Sequence, residues 1–168
     1  MGQLWQWLEF ANLLTFTLFI IPRRQPTAAS PLITPLATHL LRAMYLLPIL
    51  AFGYSLFITQ QVSGFDWLCL GIALIGTLLV IKGKRDLGPW HTWAGTWLPG
   101  APTIRTGIYR WLPHPMYTGI ILTIVSCSLV YITRLPVLLS ALALLCCLYI
   151  VTFLLVVAAR ERRHLSPV

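Results

Sequence analysis

Charge is what this sequence has least of. Only 10% of its 168 residues are charged, against roughly a quarter in soluble proteins. Four of them are acids: Glu9, Asp66, Asp86 and Glu161. A soluble globule covers its surface with charge, so a soluble enzyme is excluded, as are a disordered chain and a basic nucleic-acid binder of the usual kind. The net charge of +8 reflects scarce acids as much as abundant bases. Cysteine is also sparse. Cys69, Cys127, Cys146 and Cys147 lie in apolar runs, with no CxxC and no Cys/His spacing suited to zinc. They read as small apolar side chains, which leaves no disulfide framework and no metal site to infer. What the chain has instead is apolar bulk, 58% of its residues. That composition defines an integral membrane protein.

A helix crossing a hydrocarbon core of roughly 30 Å needs about 20 predominantly apolar residues. Five stretches qualify: about Leu4 to Ile21, Ala43 to Gln61, Gly64 to Lys82, Met116 to Thr133 and Pro136 to Ala159. The first is not a cleavable signal peptide, because no basic segment precedes it and Pro22-Arg23-Arg24 is no small-residue cleavage site. The fold expected is therefore all-α, a polytopic bundle of five transmembrane helices. Its connecting segments alternate between the two faces. Arg23, Arg24 and Arg42 fall in loop one, Lys82, Lys84, Arg85, Arg105 and Arg110 in loop three, and Arg160, Arg162 and Arg163 in the tail. Eleven of the twelve basic residues thus share one face, and only Arg134 is on the other. The positive-inside rule then puts the N-terminus outside and the C-terminus in the cytoplasm. Residues 1–62 are expected to supply two helices and a Pro-rich connector, and residues 63–168 the remaining three with a cap loop and a short basic tail.

The loops differ in character. Loop one, with Pro22, Pro26, Pro31 and Pro35, reads as an extended connector leading into a short helix that begins before His39. The turns at Ser63-Gly64 and Thr133-Arg134-Leu135 are tight. Loop three, Gly83 to Pro113, runs for 31 residues and holds five of the eleven glycines and four of the seven tryptophans. Structureless connections beyond about 12–15 residues are usually functional or disordered, and Trp90, Trp93, Trp97 and Trp111 argue against disorder. An aromatic belt at headgroup level accounts for some of these rings. A cytoplasmic Gly/Trp/Pro-rich segment that folds back as a cap accounts for the whole loop, and makes it the place to seek a pocket.

At its end stands Thr106-Gly-Ile-Tyr-Arg-Trp-Leu-Pro-His-Pro-Met-Tyr-Thr-Gly119. Prolines on both sides hold His114 out of helix, with its ring at the start of span four. Pro115 suits the first helical position. The first-turn N–H groups lack intrahelical partners, which favours an anionic or polar ligand group there. Gly119, a turn on, admits a close approach by backbone or ligand. A Pro-punctuated helix start with an interfacial His and Tyr explains the same run without a ligand, and the residues alone leave both readings open. In the tail, Arg160, Arg162 and Arg163 complement a helix C-terminus and stop transfer. Glu161 has no such explanation. As a rare acid leaving span five on the side of His114, it is the second candidate site residue.

At these positions the sequence resembles the isoprenylcysteine carboxyl methyltransferase and phospholipid methyltransferase superfamily. Gly107, Tyr109, Arg110, His114, Pro115, Tyr117 and Gly119 match a pattern of roughly Gly-x-Tyr-Arg-x-x-Arg-His-Pro-x-Tyr-x-Gly, and Leu87-Gly88 and an acidic motif after a helical hairpin also fit. The resemblance covers about Gly64 to Leu165. It implies transmembrane helices with a cytoplasmic cap over S-adenosylmethionine, and a lipophilic methyl acceptor of lipid or isoprenoid type. It implies cofactor binding by Tyr109, His114, Pro115, Tyr117, Gly119 and Glu161, and it singles out no catalytic base. Two positions depart from the pattern: Pro113 stands where the family has a basic residue, and Arg162 where it has a second glutamate. Relatives usually continue with a further segment containing Tyr and Gly. A relative that kept the fold as a membrane subunit or scaffold, with a protein partner, is the alternative. No nucleic-acid partner is implied, and a channel is disfavoured because no span carries a helix-centre charge of the kind ion pathways use.

Overall fold

The computed structural model describes residues 2–20, 30–58, 61–92 and 94–165; Pro22, Arg23, Arg24, Pro26 and Trp93 lie outside them. Five long helices make up the fold: α1 (Gly2–Ile20), α2 (Pro35–Leu56), α3 (Gly64–Leu87), α4 (Pro115–Tyr131) and α5 (Val137–Leu165). Two very short strands, β1 (Ser30–Pro31) and β2 (Thr96–Trp97), pair antiparallel. Local chemistry sets most of the helix ends. Ser63 caps α3 through a reciprocal box. Its hydroxyl accepts the Asp66 N–H at 3.3 Å, while the Asp66 carboxylate accepts the Ser63 N–H at 2.7 Å. Gly88, at φ +54°, ends the same helix. Pro35 and Pro115 occupy first-turn positions of α2 and α4, where the missing N–H costs nothing.

The boundaries correct three expectations. The short helix expected before His39 is not separate, since Pro35 starts α2 and the helix continues without a break into the apolar stretch. Helix α3 takes in Gly83 to Leu87, so the cap begins at Gly88 rather than Gly83. Helix α5 continues past Ala159 to Leu165, and Glu161 rides on it. Alanine and arginine are strong helix formers, so α5 runs on where its hydrophobicity ends.

Three helical segments are long and apolar enough to cross a membrane: Pro35–Leu56, Gly64–Trp90 and Val137–Arg163. Pro115–Tyr131 is apolar but shorter. Helix α1 has 19 residues, and its Gln3, Gln6, Glu9 and Asn12 dilute the hydropathy that the other spans reach. Large apolar side chains such as Leu50, Ile75, Leu78, Leu145 and Leu148 stand exposed on the helix surfaces, as a lipid-facing surface requires. The protein is an integral, multi-pass membrane protein.

Contacts fix the running direction of every helix. At one end, Trp5 Nε1 donates to the Asp66 carbonyl at 3.0 Å and Arg134 pairs with Asp66 at 2.9 Å. This gathers the starts of α1 and α3 with the α4–α5 turn. At the other end, Lys84 donates to the Phe19 carbonyl at 2.6 Å and Arg160 to the Leu32 carbonyl at 2.8 Å. The five helices therefore alternate in direction. Helices α3 and α4 share the most extensive contact, because their backbones nearly touch. A Cβ on Gly119 would collide with the Gly76 carbonyl, and one on Gly76 would come within 2.6 Å of the Gly119 carbonyl. Two apolar cores fill the bundle, one around Leu41, Val80, Ile150 and Leu154 toward the cap, the other around Trp5, Phe52 and Tyr131 toward the far end.

Candidate functional site

The cap, residues 88–113, covers the end where α1 and α3 finish and α2 and α4 begin. Short 3-10 turns at Gly88–Trp90 and Gly107–Arg110 bracket β2. Strand β1 pairs with β2, Ser30 facing Trp97 and Pro31 facing Thr96, and the Leu32 N–H adds a bond to the Gly95 carbonyl at 2.9 Å. The end of loop one is thus a strap across the cap, and Arg160 fastens it to α5. The second 3-10 turn is anchored from α3. Asp86 accepts the Ile108 N–H at 2.9 Å and pairs with Lys82. Gly107 makes this possible, since φ is +59° there and a Cβ would overlap the Asp86 carboxylate.

Beneath the cap lies a cavity of about 470 Å³. Tyr109, His114 and Tyr117 line it from the motif, Glu161 and Arg162 from α5, Tyr45 from α2 and Ile20 from α1. Three of these polar side chains meet on its wall. Tyr117 donates its hydroxyl to Glu161 Oε1 at 2.7 Å, and His114 Nδ1 lies 3.4 Å from Glu161 Oε2. The His114 and Tyr117 rings stack, with centroids 5.5 Å apart and planes within 5°. Proline geometry produces the stack. His114 sits at φ −132°, ψ 63° outside the helix that Pro115 begins, so its ring lies back over the first turn, where Tyr117 is. The Tyr109 hydroxyl donates to the Gly83 carbonyl at 3.3 Å. Burial, with Glu161 and Asp86 nearby, holds its phenol well above the usual range, so it stays a donor.

Of the six expected cofactor residues, Tyr109, His114, Tyr117 and Glu161 come together on the cavity wall. Pro115 and Gly119 are placed outside that lining. Pro115 is buried against Gly83, and Gly119 at the crossing with Gly76. Their contribution in the structure is close approach of α4 to α3. Pro113 and Arg162, the two departures from the motif, both line the cavity. Sequence reading passed over His91 and Arg105, which also line it. Burial and the nearby Lys84 depress the His91 imidazole to about 4, so it is neutral at physiological pH. The signal was available in part: both polar side chains lie in a cap that is otherwise Gly, Trp and Pro. Among the described residues no group of His, Cys, Asp and Glu is arranged to hold a metal ion, and the four cysteines are free.

The described residues thus form a bundle of membrane helices with Tyr117, Glu161 and His114 gathered under a folded loop. The sequence profile of the phospholipid methyltransferase family matches residues 65–168, from the first turn of α3 onward, and the chain belongs to that family. No curated protein and no solved structure matches the chain.

Proposed function

We propose that the protein is an S-adenosylmethionine-dependent methyltransferase acting on a lipid or isoprenoid-type acceptor, including isoprenylcysteine, at the cytoplasmic face. The observation that carries this reading is the Tyr117–Glu161–His114 triad on the wall of a capped cavity. The residues present fit the cofactor. A carboxylate offers about four acceptor sites; Tyr117 donates to Oε1 of Glu161 and His114 Nδ1 lies 3.4 Å from Oε2. The remaining sites suit an ammonium or the ribose hydroxyls. Trp90 and the apolar cap residues supply walls for a flat heterocycle. The cofactor supplies a methyl group on a sulfonium sulfur, an electrophile that needs no acid or metal.

The chain's own work is alignment and exclusion of water. His114 and Tyr117, locked by stacking, hold Glu161 in one orientation. Tyr109 ties the motif to the end of α3. Membrane-embedded side chains such as Tyr45 and Ile120 reach the same cavity, giving a lipophilic acceptor an apolar approach from the bundle. A carboxylate acceptor needs no base. An amine must lose a proton, which Glu161 or His114 can take.

Five spans with the cap in the cytoplasm suit this reading. The strap joins loops one and three at one end, and Arg134 at the other end is buried in its ion pair. Residues 63–168 form the methyltransferase core and residues 1–62 an added helix pair. The alternative, a scaffold that has lost catalysis, is favoured by Arg162 standing where the family has an acid. Titration of the detergent-solubilised protein with S-adenosylhomocysteine separates the two readings. Binding that falls at least about tenfold in His114→Ala and Glu161→Gln, the scale of a hydrogen bond to a charged group, supports the enzyme. No binding to the wild type supports the scaffold.

A further inference from the structure

The cavity holds more positive charge than its acid can balance. Of the four acids in the chain, Glu161 is the only one on its wall, and Tyr117 and His114 already face both of its oxygens. Arg105, from the cap, and Arg162, from α5, line the same cavity. Neither guanidinium has a hydrogen bond or ion pair with any described residue. They reach it from separate elements, the cap and α5, so the fold brings both to one cavity wall. Arg162 also inverts the charge at its position relative to the family pattern. We infer that Arg105 and Arg162 form an anion-binding pair on the cavity wall, taking a carboxylate or a phosphate of the bound ligand.

The guanidinium fork matches both groups bidentately. Two sources offer the chemistry: the amino-acid carboxylate of the methyl donor, or the phosphate of a phospholipid acceptor. The inference rests on the methyltransferase reading for the first source but not for the second. With two arginines that have no partner among the described residues, the cavity takes an anionic group more readily than a bare amine, which would meet like charge.

The test uses full-length protein in detergent, with Arg105→Gln, Arg162→Gln and Arg162→Glu variants checked for wild-type melting. Both arginines are exposed at the rim, so the glutamine variants are expected to fold. S-adenosylhomocysteine carries the carboxylate and 5′-methylthioadenosine does not. A loss of about fivefold to tenfold for the first, none for the second, and a larger loss in Arg162→Glu assign the pair to the donor. Unchanged S-adenosylhomocysteine binding assigns it to the acceptor if retention of phosphatidic acid, followed by native mass spectrometry, falls while diacylglycerol retention holds. Arg105→Lys is expected to lose less than Arg105→Gln in either case, since it keeps the charge but not the bidentate fork. If the glutamine variants match the wild type with both probes, the pair is no anion site. A wild type that fails to bind S-adenosylhomocysteine sinks the methyltransferase reading alone, and the phosphatidic acid measurement then decides the arginine pair.

Discussion

At Gly107 one missing side chain sets the shape of the motif. The backbone turns through φ +59°, and the space a Cβ would fill belongs to the Asp86 carboxylate, which holds the Ile108 N–H. Asp86 can swing aside for an alanine only by giving up that bond. Gly107→Ala is therefore expected to cost about 1–2 kcal/mol from the left-handed backbone, plus about 1 kcal/mol for the lost hydrogen bond. Thermal melting measures the sum. Asp86→Ala, which removes the bond but not the glycine, should lose only the second part. The motif glycine was legible as a signature, but its partner was not. Asp86 lies 21 residues earlier at the end of α3, and no local periodicity links it to position 107. The triad behaves the same way. His114 was marked by its prolines and Glu161 by rarity, while Tyr117 was marked only by the motif until the first turn of α4 stacked it on His114.

Helices were legible where caps and prolines wrote their ends. Pro115 stands where its chemistry predicts, whereas Pro35, read into the connector, and Ser63, read as a turn, prove to begin α2 and cap α3. Helix α5 overran its expected end because arginine and alanine favour helix whatever their depth. The strap was not legible, since a two-residue strand has no alternation to read. Nor was the α3–α4 crossing. Gly119 promised a close approach, and the approaching group is the backbone at Gly76. Because a carbonyl cannot rotate away as a side chain can, Gly119→Ala is expected to destabilise by about 1–3 kcal/mol or more, read as a loss of folded protein on detergent extraction. For the cap, His91 supplies a pH prediction. Its imidazole titrates near 4 folded and near 6.5 as a free side chain, so between those values only the unfolded cap binds the proton. The contribution is intact above about pH 6.5 and is lost as pH falls toward 4. Tryptophan fluorescence or proteolysis of the cap should show loosening across that window, absent in His91→Phe.

Across the whole molecule, the two ends have opposite designs. The cap end is held by backbone hydrogen bonds from the strap and leaves a cavity; the far end is closed by a buried ion pair. Arg134 and Asp66 are each less than a tenth exposed, Arg134 lies over the Trp5 ring at 4.5 Å, and Trp5 donates to the Asp66 carbonyl. Glu9, buried with one oxygen unpartnered, is within electrostatic reach of the pair. At this end the knot ties α1, outside the family match, to α3 and the α4–α5 turn inside it. Removing one partner of a buried pair strands the other charge and costs about 3–5 kcal/mol, whereas replacing both with apolar groups of similar size is often neutral. Arg134→Leu should therefore melt far below the wild type, and Arg134→Leu with Asp66→Asn should recover much of the loss. The recovery will be partial, because Asp66 also receives the Ser63 N–H in the α3 cap, and asparagine keeps an acceptor there without the charge. The cap end should be insensitive: S-adenosylhomocysteine affinity in the double variant is expected to match the wild type wherever the protein is folded. A double variant as unstable as the single one would mean that the cation on Trp5, rather than its pairing with Asp66, holds the far end together.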